Sequence, residues 1–142
     1  MRSLTAITLI IVTITIISGC GQNVPLSGRI TFSDTGEPLP LGTIGFTDGK
    51  IQARSEIDAD GKYALGFLSA GDGLPKGEYK IYIQAVRVEL QTGPDMNGDG
   101  EPDIICKETP LIAQKYASPE TSGLTFTADG KTKTFDIQVE KP

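Results

Sequence analysis

Histidine and tryptophan are both absent from this 142-residue chain, and cysteine occurs only twice. The lack of histidine removes the commonest general base, most nucleophile-activating pairs and the usual zinc ligands. Paired carboxylates could still act as catalysts, but the composition favours a protein that is not an enzyme. Basic residues are also scarce, with 13 Lys and Arg against 18 Asp and Glu. Because phosphate binding needs clustered basic side chains, we expect no nucleic acid partner.

Long apolar runs are missing except at the N-terminus, where Leu4 to Ile17 carry no charge and follow Arg2. A helix of these 14 residues would span about 21 Å, short of the roughly 30 Å hydrocarbon core of a bilayer. A positive start, a short apolar segment and then small residues are typical of an export signal. A transmembrane helix is the alternative, and the length disfavours it.

The four residues Ile17-Ser18-Gly19-Cys20 follow this run and resemble a bacterial lipobox, whose cysteine is lipidated and becomes the new N-terminus. The resemblance implies a lipoprotein signal peptide over residues 1–19, and a lipidated Cys20 with a short tether over residues 20–25. The protein would then be exported and held on the cell envelope by membrane lipid at Cys20. Gly21, where some Gram-negative inner-membrane lipoproteins have Asp, favours the outer membrane. An ordinary cleaved signal peptide with an unmodified Cys20 is the alternative.

The second cysteine, Cys106, has no partner within the chain if Cys20 carries lipid, so a fold stapled by disulfides is excluded. An unpaired cysteine commonly behaves as a small hydrophobic residue, and we expect Cys106 to be buried. The 123 residues from Cys20 onwards are enough for one domain with a core of its own.

Apolar and polar residues alternate with a period of two from residue 26 to residue 139, and no stretch shows a helical stripe. Glycine and proline fall between the alternating segments, in turns such as Asp48-Gly49 and Asp60-Gly61. The pattern predicts an all-β domain over residues 26–142, a single antiparallel Greek-key β-sandwich of about seven strands. We expect the apolar row around Phe126 to pair with the last row, Phe135 to Val139.

The alternation changes phase between Ala85 and Val86, because apolar residues occupy odd positions before this point and even positions after it. A β-bulge or a strand end would explain the change. The alternative is a strand that continues as a protruding hairpin arm with both faces partly covered.

An acidic segment follows, with oxygen-bearing side chains at alternate positions and a glycine at position 100 that permits a sharp turn. Calcium prefers six to eight oxygen ligands, and alternate acidic residues on a coiled loop can converge on one ion. The predicted Ca²⁺ ligands are Asp95, Asn97, Asp99, Glu101 and Asp103.

This segment departs from an EF-hand, because Cys106 stands at the twelfth position and the flanks read as strands. It resembles the calcium loops of integrin-type propeller repeats, although here it occurs once. The alternative is a solvated hairpin tip with Asn-Gly and Asp-Gly turns.

Five segments, in their order and spacing, resemble carboxypeptidase regulatory-like domains, which are transthyretin-like β-sandwiches. They are residues 27–32 (SGRITF), 36–40 (GEPLP), 43–46 (TIGF), 58–63 (DADGKY) and 75–81 (PKGEYKI). Residues 115–125 look like the tail of short bacterial lipoproteins that carry one such domain. The acidic loop, at about 91–108, would be an insertion.

The resemblance implies a binding or structural module without catalysis. Transthyretin-like hydroxyisourate hydrolases need histidine, which the chain lacks. Isopeptide-forming adhesin domains usually join a lysine to an asparagine near the last strand, and the only asparagines are Asn23 and Asn97.

Three functions therefore compete. The first is a non-enzymatic envelope module that binds a glycan or a protein, with Tyr82 and Tyr116 as the candidate exposed aromatics. The second is a calcium-dependent adhesion or assembly module that uses the acidic loop. The third is a carboxylate hydrolase, which would need two acids in one cleft.

Overall fold

The computed structural model describes residues 23–69 and 71–142. The predicted signal peptide, residues 1–19, and the lipidation site Cys20 lie outside the described residues. Within the described part of the chain, no helix is long and apolar enough to cross a membrane.

Nine strands and one short 3-10 helix make up the described secondary structure. The strands are β1 (Ser27–Phe32), β2 (Gly42–Thr47), β3 (Gln52–Ile57), β4 (Lys62–Ala64), β5 (Gly77–Gln84), β6 (Val86–Thr92), β7 (Ile104–Pro110), β8 (Thr125–Ala128) and β9 (Ile137–Val139). The 3-10 helix, Gln114–Ala117, lies between β7 and β8.

Seven of the strands form two sheets. One sheet has the order β4-β1-β9 and the other has the order β3-β2-β5-β8. The prediction of an all-β sandwich is confirmed. Most ladders are antiparallel, as expected, but β1 and β9 run parallel, with Ile30 beside Ile137 and Phe32 beside Val139.

The core lies between the two sheets and is built by alternate side chains of each strand, as the period of two predicts. The ring of Phe46 on β2 lies 6.3 Å from that of Tyr63 on β4 and 5.8 Å from that of Phe126 on β8. Tyr63 donates a hydrogen bond to the carbonyl of Phe135. Burial raises the pKa of its phenol, so the hydroxyl stays protonated.

The expected pairing of the last two apolar rows is wrong. Strand β8, which carries Phe126, pairs with β5, while β9 pairs with β1 in the opposite sheet. The two rows do meet, but through side chains in the core: the rings of Phe126 and Phe135 lie 4.9 Å apart. Period-two patterning specifies which face of a strand is buried and says nothing about its neighbour.

The phase change between Ala85 and Val86 marks the point where the chain leaves the sandwich. Strand β5 ends at Gln84, and β6 begins at Val86 and pairs only with β7. The amide of Leu111 donates to the carbonyl of Ala85 and closes the base of this hairpin. We call the hairpin, residues 86–110, the arm. Both the predicted strand end and the predicted protruding arm are therefore present. The expectation that both faces of the arm are partly covered is wrong, because every residue of its two strands is exposed.

The expectation that Cys106 is buried is wrong: its thiol is free and exposed. Cys106 lies on β7, opposite Leu90, and the described residues of the sandwich leave both strands of the arm exposed. The alternation of apolar and polar residues in β7 resembles that of a core strand, but among the described residues no second layer of structure covers this strand.

Candidate functional site

The acidic loop forms the tip of the arm. The ladder between β6 and β7 extends one pair further, with the amide of Gly93 donating to the carbonyl of Asp103 over 2.7 Å. Asp103 therefore marks the end of the ladder and the start of the returning strand. All five predicted calcium ligands lie beyond Gly93, and four of them are exposed while Asp103 is half-buried.

Asp95 organises the first half of the loop. One carboxylate oxygen accepts the amide of Gly98 at 2.6 Å, and the other accepts the amide of Gly100 at 2.8 Å. These two amides lower the pKa of Asp95, since they stabilise the charged carboxylate. Gly98 and Gly100 both adopt positive φ, at 80° and 88°, which side-chain-bearing residues rarely adopt. The glycines at these positions let the chain wrap around Asp95.

Asp103 connects the two ends of the loop. Its carboxylate accepts the amide of Met96 at 2.6 Å and the side-chain amide of Asn97 at 3.3 Å. Because Met96 is adjacent to Asp95 in the chain, the carboxylate of Asp103 reaches the segment that Asp95 organises. The structure thus brings Asn97 and Asp103 into one side-chain network, which Asp95 adjoins through the backbone of Met96.

Asp99 and Glu101 do not join that network. The Asp99 carboxylate accepts the amide of Glu101 at 2.8 Å, and Asn97 accepts the amide of Asp99 in the same way. Both are local turns in which a side chain bonds its own backbone two residues on. Within residues 23–69 and 71–142, no group of three or more His, Cys, Asp or Glu side chains is arranged to hold a metal ion.

The two tyrosines that were expected to be exposed are buried. Tyr82 is only 7% exposed and Tyr116 only 4%. Tyr82 points away from the core but lies flat over Gly45, the residue directly opposite on β2. Its hydroxyl also accepts a hydrogen bond from Gln52. Tyr116 lies on the 3-10 helix and packs into the core cluster. Neither ring is free to stack on a sugar.

A second surface feature is a cleft of about 420 Å³, which is lined by the first half of β5, by β8 and by the turn that follows β2. It holds three carboxylates, those of Asp48, Glu78 and Glu120, together with Lys80. Asp48 accepts the amides of two residues of its own turn, and Glu120 accepts the hydroxyl of Ser118. These bonds lower the pKa of both carboxyl groups. The two carboxylates therefore serve as turn anchors that stay ionised at neutral pH.

Comparison with known proteins assigns no family. No family model matches the chain, and no curated protein matches it. A solved structure of a 9R-lipoxygenase from Cyanothece PCC8801 aligns with 15% identity and a TM-score of 0.35. The alignment covers 96% of this chain and 18% of the lipoxygenase chain. A similarity of this size supports neither a shared fold nor a shared activity.

Proposed function

We propose that this chain is an exported lipoprotein whose β-sandwich acts as a non-enzymatic binding or structural module of the cell envelope. The observation that carries the proposal is that the sandwich begins only four residues after Cys20 in the sequence. Val24 already exchanges backbone hydrogen bonds with Leu74, at 2.9 and 3.0 Å. Four residues of extended chain reach about 13 Å, so a lipid on Cys20 would hold the sandwich close to the membrane surface.

Two carboxylates of the cleft lack the character of a general acid, which supports a module without catalysis. A general acid needs a raised pKa, and the pKa values of Asp48 and Glu120 in the cleft are lowered. Asp48 is also committed to the backbone of its own turn.

The burial of Tyr82 and Tyr116 bears on the ligand. Aromatic rings that stack on sugars must be accessible, and these two are covered. A protein partner of the envelope is thus favoured over a glycan, and the exposed arm is the surface that a protein would contact.

The test of the anchor is the fate of Cys20. Replacing it, as Cys20→Ala in the full chain, should remove label from radioactive palmitate and release the protein from the membrane fraction. The matched control is Cys106→Ala, which should leave both unchanged because Cys106 lies far along the arm. Membrane attachment that survives Cys20→Ala, or an unlabelled wild type, would contradict the lipoprotein proposal.

A second candidate function is calcium-dependent adhesion or assembly through the acidic loop. The observation that favours it is that Asp103 reaches across the loop to the side chain of Asn97 and to the amide of Met96, which adjoins Asp95. Asn97 and Asp103 are thereby held together beside the turn that Asp95 organises, and the carboxylates of Asp95 and Asp99 and the carbonyl of Glu101 are the further oxygens that a bound ion would draw in. Extracellular calcium modules bind with dissociation constants of about 10⁻⁴–10⁻³ M, so a site without the twelfth-position glutamate is sufficient.

The calcium proposal predicts that millimolar Ca²⁺ raises the melting temperature and gives a one-site isotherm by titration calorimetry. Asp99→Ala should abolish both effects. Glu56→Ala removes an exposed carboxylate from β3 and should change neither. A wild type that shows no heat of binding and no melting shift at millimolar Ca²⁺ would sink the proposal, and the alternative of a solvated hairpin tip would stand.

A further inference from the structure

The outer edge of β6 is an open edge whose backbone groups can be identified from the ladder. The amide of Leu111 donates to Ala85, and the amide of Gly93 donates to Asp103. In an antiparallel ladder the bonded positions alternate, so the odd-numbered residues of β6 bond to β7. The amides and carbonyls of Val86, Val88 and Leu90 therefore point away from β7. Among the described residues, no strand pairs with them.

The same three residues carry an exposed apolar row. Val86, Val88 and Leu90 are 42%, 56% and 71% exposed, and their side chains lie on one face of the arm. Ile104, opposite Thr92, extends this face and is 73% exposed. A long strand edge that is open, apolar and free of proline readily pairs with another chain.

We propose that β6 pairs with β6 of a second copy of this chain, antiparallel and about a two-fold axis through Val88. This register places Val88 opposite the second copy's Val88, and Val86 opposite the second copy's Leu90. It also places Arg87 opposite the second copy's Glu89, and the symmetry repeats that contact. Opposite charges meet twice and apolar residues meet on the other face, which is the self-complementarity that a two-fold interface requires.

The neighbouring registers lack this match. If the second strand is shifted by two residues in one direction, Arg87 lies opposite Arg87 of the second copy. The same shift in the other direction places Glu89 opposite Glu89 of the second copy. Like charges directly opposite each other are destabilising. The charge pattern of β6 therefore selects one register.

The outer edge of β7 does not offer an equivalent match. An axis through Cys106 would set Ile105 against Lys107 of the second copy, and an axis through Lys107 would set two lysines together. An axis through Ile105 would set Asp103 against Lys107 of the second copy, but the Asp103 carboxylate already accepts hydrogen bonds from Met96 and Asn97 of its own loop. The strand also ends at Pro110, which lacks an amide. β6 is thus the edge that fits a second copy.

The paired arms would form a four-stranded sheet with about six new main-chain hydrogen bonds. At the base of the arm, an open groove of about 450 Å³ lies between Val86 and the segment that begins at Leu41. It leaves room for the far end of the second copy's strand beside Val86. The inference is independent of the lipid anchor and of calcium, because it rests on β6 alone.

The test uses two charge variants of the full chain, purified from whole-cell extract in mild detergent whether or not the protein is attached to membranes. Arg87→Glu sets glutamate against Glu89 at both contacts. Glu89→Arg, combined with Lys107→Glu to keep opposite charges across the arm, sets arginine against Arg87. Sedimentation should show a dimer for the wild type and a dissociation constant raised about tenfold or more for each variant alone. An equal mixture of the two should dimerise again, since both of its contacts pair opposite charges.

Disulfide trapping tests the register separately. In a Cys106→Ser background, Val88→Cys should give a disulfide dimer on mild oxidation, because bonded antiparallel positions lie about 5.5 Å apart. The Cys106→Ser parent should give none. A monomeric wild type would overturn the inference, as would charge variants that remain dimeric. Dimers trapped through the native Cys106 would also overturn it, because they would place the contact on β7. Melting curves of the charge variants confirm that the sandwich is folded.

Discussion

At the residue scale, Gly45 and Tyr82 show how one missing side chain controls a neighbouring one. A Cβ on Gly45 would lie 2.2 Å from the ring of Tyr82, so only glycine leaves space for the ring. The tyrosine occupies a position that the alternation assigns to solvent, yet it is buried. The sequence did contain a signal, a glycine within a strand, which often marks a close approach. Only the pairing of β2 with β5 in the structure identifies Tyr82 as the side chain that approaches Gly45.

This contact predicts that Gly45→Ala destabilises the protein by about 1–3 kcal/mol, because the new methyl group displaces the ring of Tyr82. Chemical denaturation would measure the loss. Gly77→Ala is the matched control, since its Cβ would meet nothing closer than 3.6 Å. In a Tyr82→Ala background, Gly45→Ala should cost much less. Equal losses in the Gly45 and Gly77 variants would show that the ring does not set the requirement for glycine.

At the scale of elements, the arm and the sandwich differ in what supports them. The two strands of the arm are exposed along their whole length, and an isolated two-stranded hairpin is marginally stable in water. The sandwich strands bury one face each in a shared core. The arm is therefore an appendage, and its amides should exchange with solvent faster than those of β2 and β5.

Removing the arm should leave the sandwich folded. The variant replaces residues 88–108 by Asn-Gly, which joins Arg87 to Thr109 in a tight hairpin turn. We expect a cooperative melt within a few degrees of the wild type, because the deleted residues contribute nothing to the core cluster. Ile81→Ala, which empties a fully buried position on β5, should cost about 2–5 kcal/mol by comparison. Loss of the cooperative transition on removing the arm would show that the arm supports the sandwich.

At the scale of the whole molecule, the two ends of the described chain are joined in one sheet. Strand β9 runs beside β1, and Ile137 and Val139 complete the core. The backbone of the C-terminal segment also bonds to Ser33 and Ala113. The contacts of β9 with β1 and of Val139 with Ser33 link positions about a hundred residues apart, so the sandwich closes only when the last strand is in place.

A truncation that ends the chain at Lys133 should therefore abolish cooperative unfolding, although it removes fewer residues than the loss of the arm. Circular dichroism and thermal melting would detect the difference. The control truncation removes only Lys141 and Pro142. The surface ion pair that Lys141 makes with Asp34 contributes little to the free energy of unfolding. A cooperative melt for the chain ending at Lys133 would contradict the closing role of β9.

The sequence by itself determined the fold class, the turns and the buried face of most strands, because these depend on local chemistry. Alternation with a period of two places Ile30, Ile44 and Ile81 on the buried faces of their strands, and this holds whichever strands are their neighbours. The phase change at Val86 also marked an irregularity in the strand, and the structure shows that the chain leaves the sheet there. The acidic loop was recognisable for the same reason, since its turns depend on residues a few positions apart.

The tertiary structure alone decided which strands pair, that Cys106 is exposed and that Tyr82 and Tyr116 are covered. Each depends on what lies opposite a residue in space, and alternation is the same whether a second layer is present or absent. For the arm no such layer exists among the described residues, so an apolar pattern typical of a core strand became an exposed edge.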